Sequence, residues 1–521
     1  MSLLAFIIAT PLIAAVAILL LPSSYSHLSK IIAQGAAGMT FLLSLGMFLL
    51  YPEMAAGPGG FKFYQKTTWV ESIGINFQVG ADGINVGLIL MGAAVALAAS
   101  FACWGINRRK REFYFLFLMM VGGILGAFAS LDVFFFYFFH ELALVPTFIM
   151  IGVWGRGENR NYATFKITIY LTIGAMLALV GLVALYIQSG ANTFDLVEMT
   201  NHVKEQPIPT GQQNIIFPLL LFGFGILVSL WPFHTWAPIG YNAAPTAAAM
   251  LHAGVLKKFG LYGLIRLAIP MVPEGIRTWL EVLCVLALGN ILYCGWVAMR
   301  QRNLNFLIGN SSVAHMGMAF LGIASLSLIG VTGAVAVMVA HGLLAALSFG
   351  LSGYLHHQKD TVEISKLGGL LQQLPFIGVC LIIAMLAGCG VPGFANFAGE
   401  ILVLFGAWES LPWFVIAGAW GALIIGAIYC LRAIRNILHG AIAEENLTLT
   451  DANNGLLKLP FVLLIVLLVV FGIYPRLLTN KISQSAEPLI EQANSGSVRL
   501  ADQPNTTISG TAALDAANLN F

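Results

Sequence analysis

Charge is what this sequence has least of. Asp, Glu, Lys and Arg together make up 9% of its 521 residues, against roughly a quarter in a soluble domain. Such scarcity excludes a soluble fold. The formal net charge of +2, with no long basic tract, gives no reason to invoke nucleic acid. The short alternating segments of a membrane β-barrel are missing as well. Six cysteines, Cys103, Cys284, Cys294, Cys380, Cys389 and Cys430, lie scattered in apolar surroundings. None is in the C-x-x-C spacing of zinc or redox sites, so they read as small apolar fillers and no metal is expected. The first apolar run, residues 3–21, has no basic segment before it and reads as a retained helix, not a cleaved signal.

What the chain has in abundance is apolar length. Hydrophobic residues make up 59%, and runs of about 20 residues, enough to cross a bilayer as a helix, recur from the first residues to about Tyr474. The expected fold is all-α and polytopic, with about 14 transmembrane helices. Alternate loops are basic: Arg108, Arg109, Lys110 and Arg111 stand in one, Arg156, Arg160 and Lys166 in the next but one. By the positive-inside rule these loops face inward and both termini outward. Residues 52–79, on the outer side, have the alternation of a hairpin.

Two spans look broken, the seventh at LWPFHTWAP (230–238) and the twelfth at CGVPGFANFAGE (389–400). Proline removes a backbone donor, and carbonyls freed at membrane depth need protein or water partners. The breaks lie about five spans apart. That spacing predicts two five-helix units, 113–270 and 271–438, each with one discontinuous helix, the second inverted relative to the first. Two unrelated proline kinks would leave the same marks. A three-helix segment, 1–112, precedes the units; an inward loop and last helix, 439–475, and a loosely ordered polar tail, 476–521, follow.

Ionisable residues within spans cost about 2.5–3.5 kcal/mol each at a helix centre and tend to mark ion or proton paths. Glu141 follows Asp132 by nine residues, near the midplane by the helical rise. Lys257 and Lys258 lie mid-span in AAAMLHAGVLKKFGLYGLIRL, and Glu400 opens the second half of the broken twelfth span. His252, His315 and His341 occupy further apolar settings, with His234 at the first break. A structural hydrogen bond accounts for any one such histidine as well as a proton role does. The set of carboxylates, lysines and histidines spread over several helices fits a proton relay, because burial and mutual charge shift their proton affinities. Lys257 and Lys258 point about 100° apart and cannot play the same part.

Six stretches carry a family resemblance: HELALVPTFIMIGVWG, PFHTWAP, APTAAAMLHAGVLKKFGLYGLIR, NSSVAHMGM, MVAHGLLAALSFGLSGYL and GVPGFANFAGEILVLFG. Over residues 80–440 the chain resembles the antiporter-like, proton-pumping subunits of respiratory complex I (NADH:quinone oxidoreductase), most of all the subunit M type, subunit 4 in mitochondria. The resemblance implies 14 helices with inverted repeats and proton translocation. It makes Glu141 the essential fifth-span carboxylate, Lys258 the eighth-span lysine, His315 and His341 members of a central polar axis, and Glu400 the outward exit. A glutamate at position 400, where subunit L carries lysine, favours M. The resemblance also implies a chain without cofactors of its own. NADH, FMN, Fe–S clusters and quinone would belong to partner subunits, with neighbouring antiporter-like subunits and the bilayer of a bacterial inner membrane around it.

The chain departs from the family at two places. A lysine is expected on the seventh span as partner to the fifth-span glutamate, and Leu227 stands there; Lys257 or His252 is the expected substitute. In MRQRNLNFLIGNSS, Asn303, Asn305 and Phe306 replace an acid and two bases. Rival readings of the same fold are a cation/proton antiporter subunit, a membrane-bound hydrogenase subunit, and a structural subunit that no longer pumps.

Overall fold

The computed structural model describes residues 2–501, with side chains through residue 495. Among the described residues twelve helices are long and apolar enough to cross a membrane. The eighth and twelfth crossings are built from shorter pieces, and counting each as one is compatible with fourteen. The third span, Gly83–Phe101, and the eleventh, Leu328–Lys359, are 89% buried over their apolar windows, whereas the fourteenth, Gly455–Ile473, is 28% buried. The third and eleventh, together with the fully buried eighth and the tenth and fourth (83% and 78% buried), therefore form the centre, and the remaining spans wrap them.

Both expected breaks are present. The seventh span runs over Thr210–Val228 and resumes as Trp236–Ala243; the twelfth runs over Pro375–Gly388 and resumes as Ala395–Trp408. The sequence reading missed a third break, in the eighth span. There Thr246–Gly254 gives way to a 3-10 turn, Leu256–Lys258, before Phe259–Gly263 resumes. Both lysines sit in this turn. A π-helical segment, Gly289–Cys294, interrupts the ninth span, and π segments of this kind recur at functional sites.

At one end of the bundle the anticipated hairpin forms. Strand Lys62–Val70 pairs antiparallel with Ile75–Ala81. Lys66 pins it to the short helix Leu196–Glu205 through Asp195 at 2.8 Å and Glu198 at 3.1 Å. Asp132 accepts from the Asn76 amide at 2.9 Å and caps the fifth span through Phe134 and Phe135, so the hairpin fixes where that span starts.

The expectation of a loose tail is corrected over 476–501, which form the helix Arg476–Ala501; residues 502–521 lie outside the described residues. Leu478, Ile482, Ala486, Ile490 and Ala493 are buried, a 3–4 spacing that gives the polar segment one apolar face. That face crosses the start of the third span, where the Gly83 amide donates to Ser485 Oγ at 2.8 Å. A Cβ on Gly83 would lie 1.6 Å from the Lys481 carbonyl oxygen, so only glycine allows the approach.

Candidate functional site

The 3-10 turn sends its two lysines in different directions. Lys258 donates to the Ala253 carbonyl at 2.6 Å and meets His341 Nδ1, on the eleventh span, at 2.8 Å. Lys257 donates to Ser312 on the tenth span, to the hydroxyl at 3.1 Å and the carbonyl at 3.3 Å. Both side chains are almost completely buried. An uncapped helix end after Gly254 leaves carbonyls that an α-helix would have used internally, and Lys258 takes one of them.

From His341 the row continues. The His341 and His315 rings stand 5.5 Å apart, centre to centre, and His315 Nδ1 lies 3.0 Å from Glu400 Oε1. A cavity of about 20 Å³, lined by both histidines with Ser311, Ser312, Ser348 and Tyr429, adjoins this gap. That is room for roughly one water. Lys257 reaches the same cavity through Ser312. Four of the residues singled out from sequence, Lys258, His341, His315 and Glu400, thus form one contiguous row across four helices.

The break in the twelfth span gives Glu400 its place. Gly390 has φ +71°, and a Cβ there would lie 3.0 Å from Glu400 Oε2. Glycine supplies both the left-handed turn and the room for the carboxylate. The seventh-span break is held by Asn290, in the π segment, which accepts from the Trp231 amide and donates to the carbonyls of Ser229 at 3.3 Å and Val313 at 3.0 Å. Asn396, at the second break, is fully buried with neither side-chain polar atom partnered among the described residues.

Glu141, His252 and His234 are not part of the row. Glu141 lies at the bundle surface, its side chain 33% exposed, with Oε1 3.5 Å from Nδ1 of the buried His140. The two are within ion-pair distance without hydrogen-bond alignment, and neither atom has another partner among the described residues. His140 is stacked on Phe259 at 4.0 Å, next to Lys258 in sequence. His252 stacks on Trp236 at 5.4 Å, with the Tyr241 ring at 5.5 Å. Its Nδ1 and the Tyr241 hydroxyl have no protein partner among the described residues, and it lies within electrostatic reach of both His140 and Lys257. His234 packs edge-on to Tyr293 at 5.8 Å.

Sequence reasoning did not anticipate Ser312, Tyr241, Asn290, the base beside Glu141, or the ion pair of Arg266 and Asp82. Arg266 also donates to Tyr262 Oη at 3.1 Å, which donates to the Phe128 carbonyl at 2.9 Å. This buried cluster ties the eighth span to the third and fourth. Arg266 was visible as a charge in an apolar run, but its partner is 184 residues away. In the 301–306 turn, Asn303 caps the tenth span by accepting from the Asn305 and Phe306 amides, and Asn305 accepts from Ser352 at 2.6 Å. Neutral hydrogen bonds replace the missing charges; Arg300 and Arg302 form no ion pair among the described residues.

Residues 130–425, more than half the chain, match the family described as NADH:quinone oxidoreductase/Mrp antiporter, TM. NADH-quinone oxidoreductase subunit M of Rhodobacter capsulatus is 32% identical over 472 residues, 89% of this chain and 90% of that protein. NAD(P)H-quinone oxidoreductase chain 4 of Gloeobacter violaceus is 31% identical over 98% of this chain and 97% of its own length. A chain of respiratory complex I from Thermus thermophilus superimposes with a TM-score of 0.85 at 27% identity, covering 94% of this chain and 99% of that one. A chain of the Mrp complex from Dietzia shares the fold alone, with a TM-score of 0.80 at 17% identity, covering 95% and 100%. With its fold, broken helices and buried polar row on one side and these similarities on the other, the chain belongs to the antiporter-like membrane subunits of the NADH:quinone oxidoreductase/Mrp family, on the subunit M branch.

Proposed function

We propose that the row Lys258–His341–His315–Glu400 carries protons through this chain, a multi-pass membrane-arm subunit of an NADH:quinone oxidoreductase. The observation that carries this reading is the row's continuity: each member is within hydrogen-bond or ring-contact distance of the next. A proton can pass from the Lys258 ammonium to His341, across the one-water cavity to His315, and on to Glu400, whose other oxygen faces the Gly390 turn. Lys257 loads the cavity from the side through Ser312. No redox chemistry is assigned to the chain; electron transfer in partner subunits supplies the driving force. The basic loops face the cytoplasm of a bacterial inner membrane, and the hairpin and the helix Arg476–Ala501 face outward. Of the two five-helix units, 113–270 would give the row Lys258 from its broken eighth span, and 271–438 would give it Glu400 from its broken twelfth.

His140 answers Glu141 in place of the absent seventh-span lysine. Phe136 and Phe224 both pack against Phe259, and each stands about one turn before the residue in question, His140 or Leu227. The two positions therefore share a level, and the base has moved from one helix to the other. With His140 protonated the Glu141 carboxylate is stabilised; when that proton moves on toward His252, Glu141 takes one up. The test is proton-to-electron stoichiometry in reconstituted complex carrying Glu400→Gln or Glu141→Gln. Unchanged pumping with full assembly in both variants would favour a structural subunit.

A further inference from the structure

A cleft of about 630 Å³ opens at the basic-loop end between the ninth and thirteenth spans. Its wall includes Arg302, Arg432, Arg435 and His439, with Gln301 and Asn436, and no carboxylate. None of the three arginines forms an ion pair among the described residues. The Arg432 guanidinium is held in place by donating to the Met299 carbonyl. Three unpaired guanidiniums repel one another, and an arrangement like this is stabilised by an anion; forked N–H donors suit phosphate oxygens.

What lies beside the cleft narrows the anion's identity. Arg432 and Arg435 occupy the last turns of the thirteenth span, Pro412–Leu438. One turn deeper, Ile428 and Leu431 are about half exposed, and Trp296 on the adjoining ninth span is exposed to the same degree. The two spans are in close contact there: a Cβ on Gly421 would lie 2.6 Å from Ile291 Cγ2, and one on Gly295 would lie 3.1 Å from Ile425 Cγ2. Ile428 and Leu431 on the thirteenth span, with the Trp296 ring on the ninth, therefore form an exposed apolar strip that leads up to the cationic cleft, at the depth where spans leave the hydrocarbon. Tryptophan and tyrosine favour that depth. A free phosphate would use the arginines and leave the strip idle.

We infer that this cleft binds the phosphate headgroup of an anionic phospholipid, with its acyl chains along Ile428, Leu431 and Trp296. Basic pockets between spans on the cytoplasmic side bind such headgroups, each arginine contributing about fivefold in affinity. Headgroups carrying two phosphates match three guanidiniums best. The site lies away from the polar row, so it tethers and orients the subunit in the leaflet without entering the proton path.

The experiment uses the assembled complex in nanodiscs of phosphatidylcholine, with and without phosphatidylglycerol or cardiolipin, each carrying a photo-crosslinkable analogue. Labelling of the peptide containing Arg432 and Arg435 is expected from the anionic lipids and not from phosphatidylcholine. It should fall on the order of a hundredfold in Arg302→Gln/Arg432→Gln/Arg435→Gln. If that triple variant does not assemble, Arg435→Gln alone, expected to lose roughly fivefold, decides the matter. Equal labelling by phosphatidylcholine, unchanged labelling in the variant, or no labelling because a polypeptide covers the face would each overturn the assignment. Protection by inorganic phosphate as strong as by lipid would identify a free-anion site instead. None of these outcomes depends on whether the chain pumps.

Discussion

The two halves of the polar axis are built differently. Between Lys258 and Glu400 each group touches the next, and the one gap adjoins a cavity of about 20 Å³. Between Glu141 and Lys257 the groups are near one another but unjoined: His140 Nδ1, His252 Nδ1 and the Tyr241 hydroxyl all lack protein partners among the described residues. The Lys258 row has a single gap, about one water wide and adjoining the unpartnered His315 Nε2, whereas the Glu141 half needs several waters or side-chain movements to close. On the proposed proton path, the first half is therefore where control would act, and the second half is where conduction would run. A partly satisfied buried network is costly, and its retention here fits switching better than stability.

The sharpest way to break this comparison is to cut the joined half. Lys258→Met leaves His341 without its donor, and proton flux through this subunit should drop roughly 10²-fold, read as acidification of proteoliposomes per NADH oxidised. Adding His341→Phe should cost little more, because both sit on one path. The breaks offer a second contrast. Asn290→Leu removes three hydrogen bonds, two to the seventh-span break and one to the tenth span, and should destabilise the subunit by about 1–3 kcal/mol, measured by thermal unfolding in detergent. Asn396→Leu, at the other break, removes a buried amide with no protein partner among the described residues. It should be neutral or stabilising.

A smaller effect is expected in the unjoined half. His140→Gln keeps the bulk but removes the imidazole beside Glu141, and should lower coupled pumping about tenfold or less while electron transfer and assembly persist. Leu227→Lys in the same chain should restore much of it, since that residue shares the level of His140. Full pumping in His140→Gln alongside impaired pumping in Glu141→Gln would leave the relay standing and remove His140 from it.

The same division governs what could be read from sequence. Spans, the two proline breaks and the scarce buried charges were legible because each is a local signal: apolar length, ring geometry, cost of burial. The third break was not, because VLKKFG contains no proline to mark it, and Lys258 meets His341 on another helix. Nor was the base beside Glu141, since neighbouring residues on a helix point about 100° apart. The ring of His140 is buried, yet its Nδ1 still comes within 3.5 Å of the carboxylate. The helix Arg476–Ala501 was obscured by polar residues outnumbering its apolar face. Pairings such as Arg266 with Asp82 depend on contacts 184 residues apart, which no local pattern encodes.

The weakest expected effect lies at the hairpin. Lys66 is a third exposed and pairs with Asp195, 3% exposed, and with Glu198, 57% exposed. Solvent screens such a pair, so Lys66→Met should cost no more than about 1 kcal/mol. The loss should shrink further as salt rises and shortens the range of the attraction. Yet the hairpin also holds Asp132 at the head of the fifth span, where the Asn76 amide donates at 2.9 Å. Any slackening there reaches first the helix that carries His140 and Glu141. Pumping that falls in Lys66→Met while the thermal midpoint barely moves would place the hairpin's contribution in the control half. Equal pumping in mutant and parent at low salt would show that the carboxylate cap alone fixes the span.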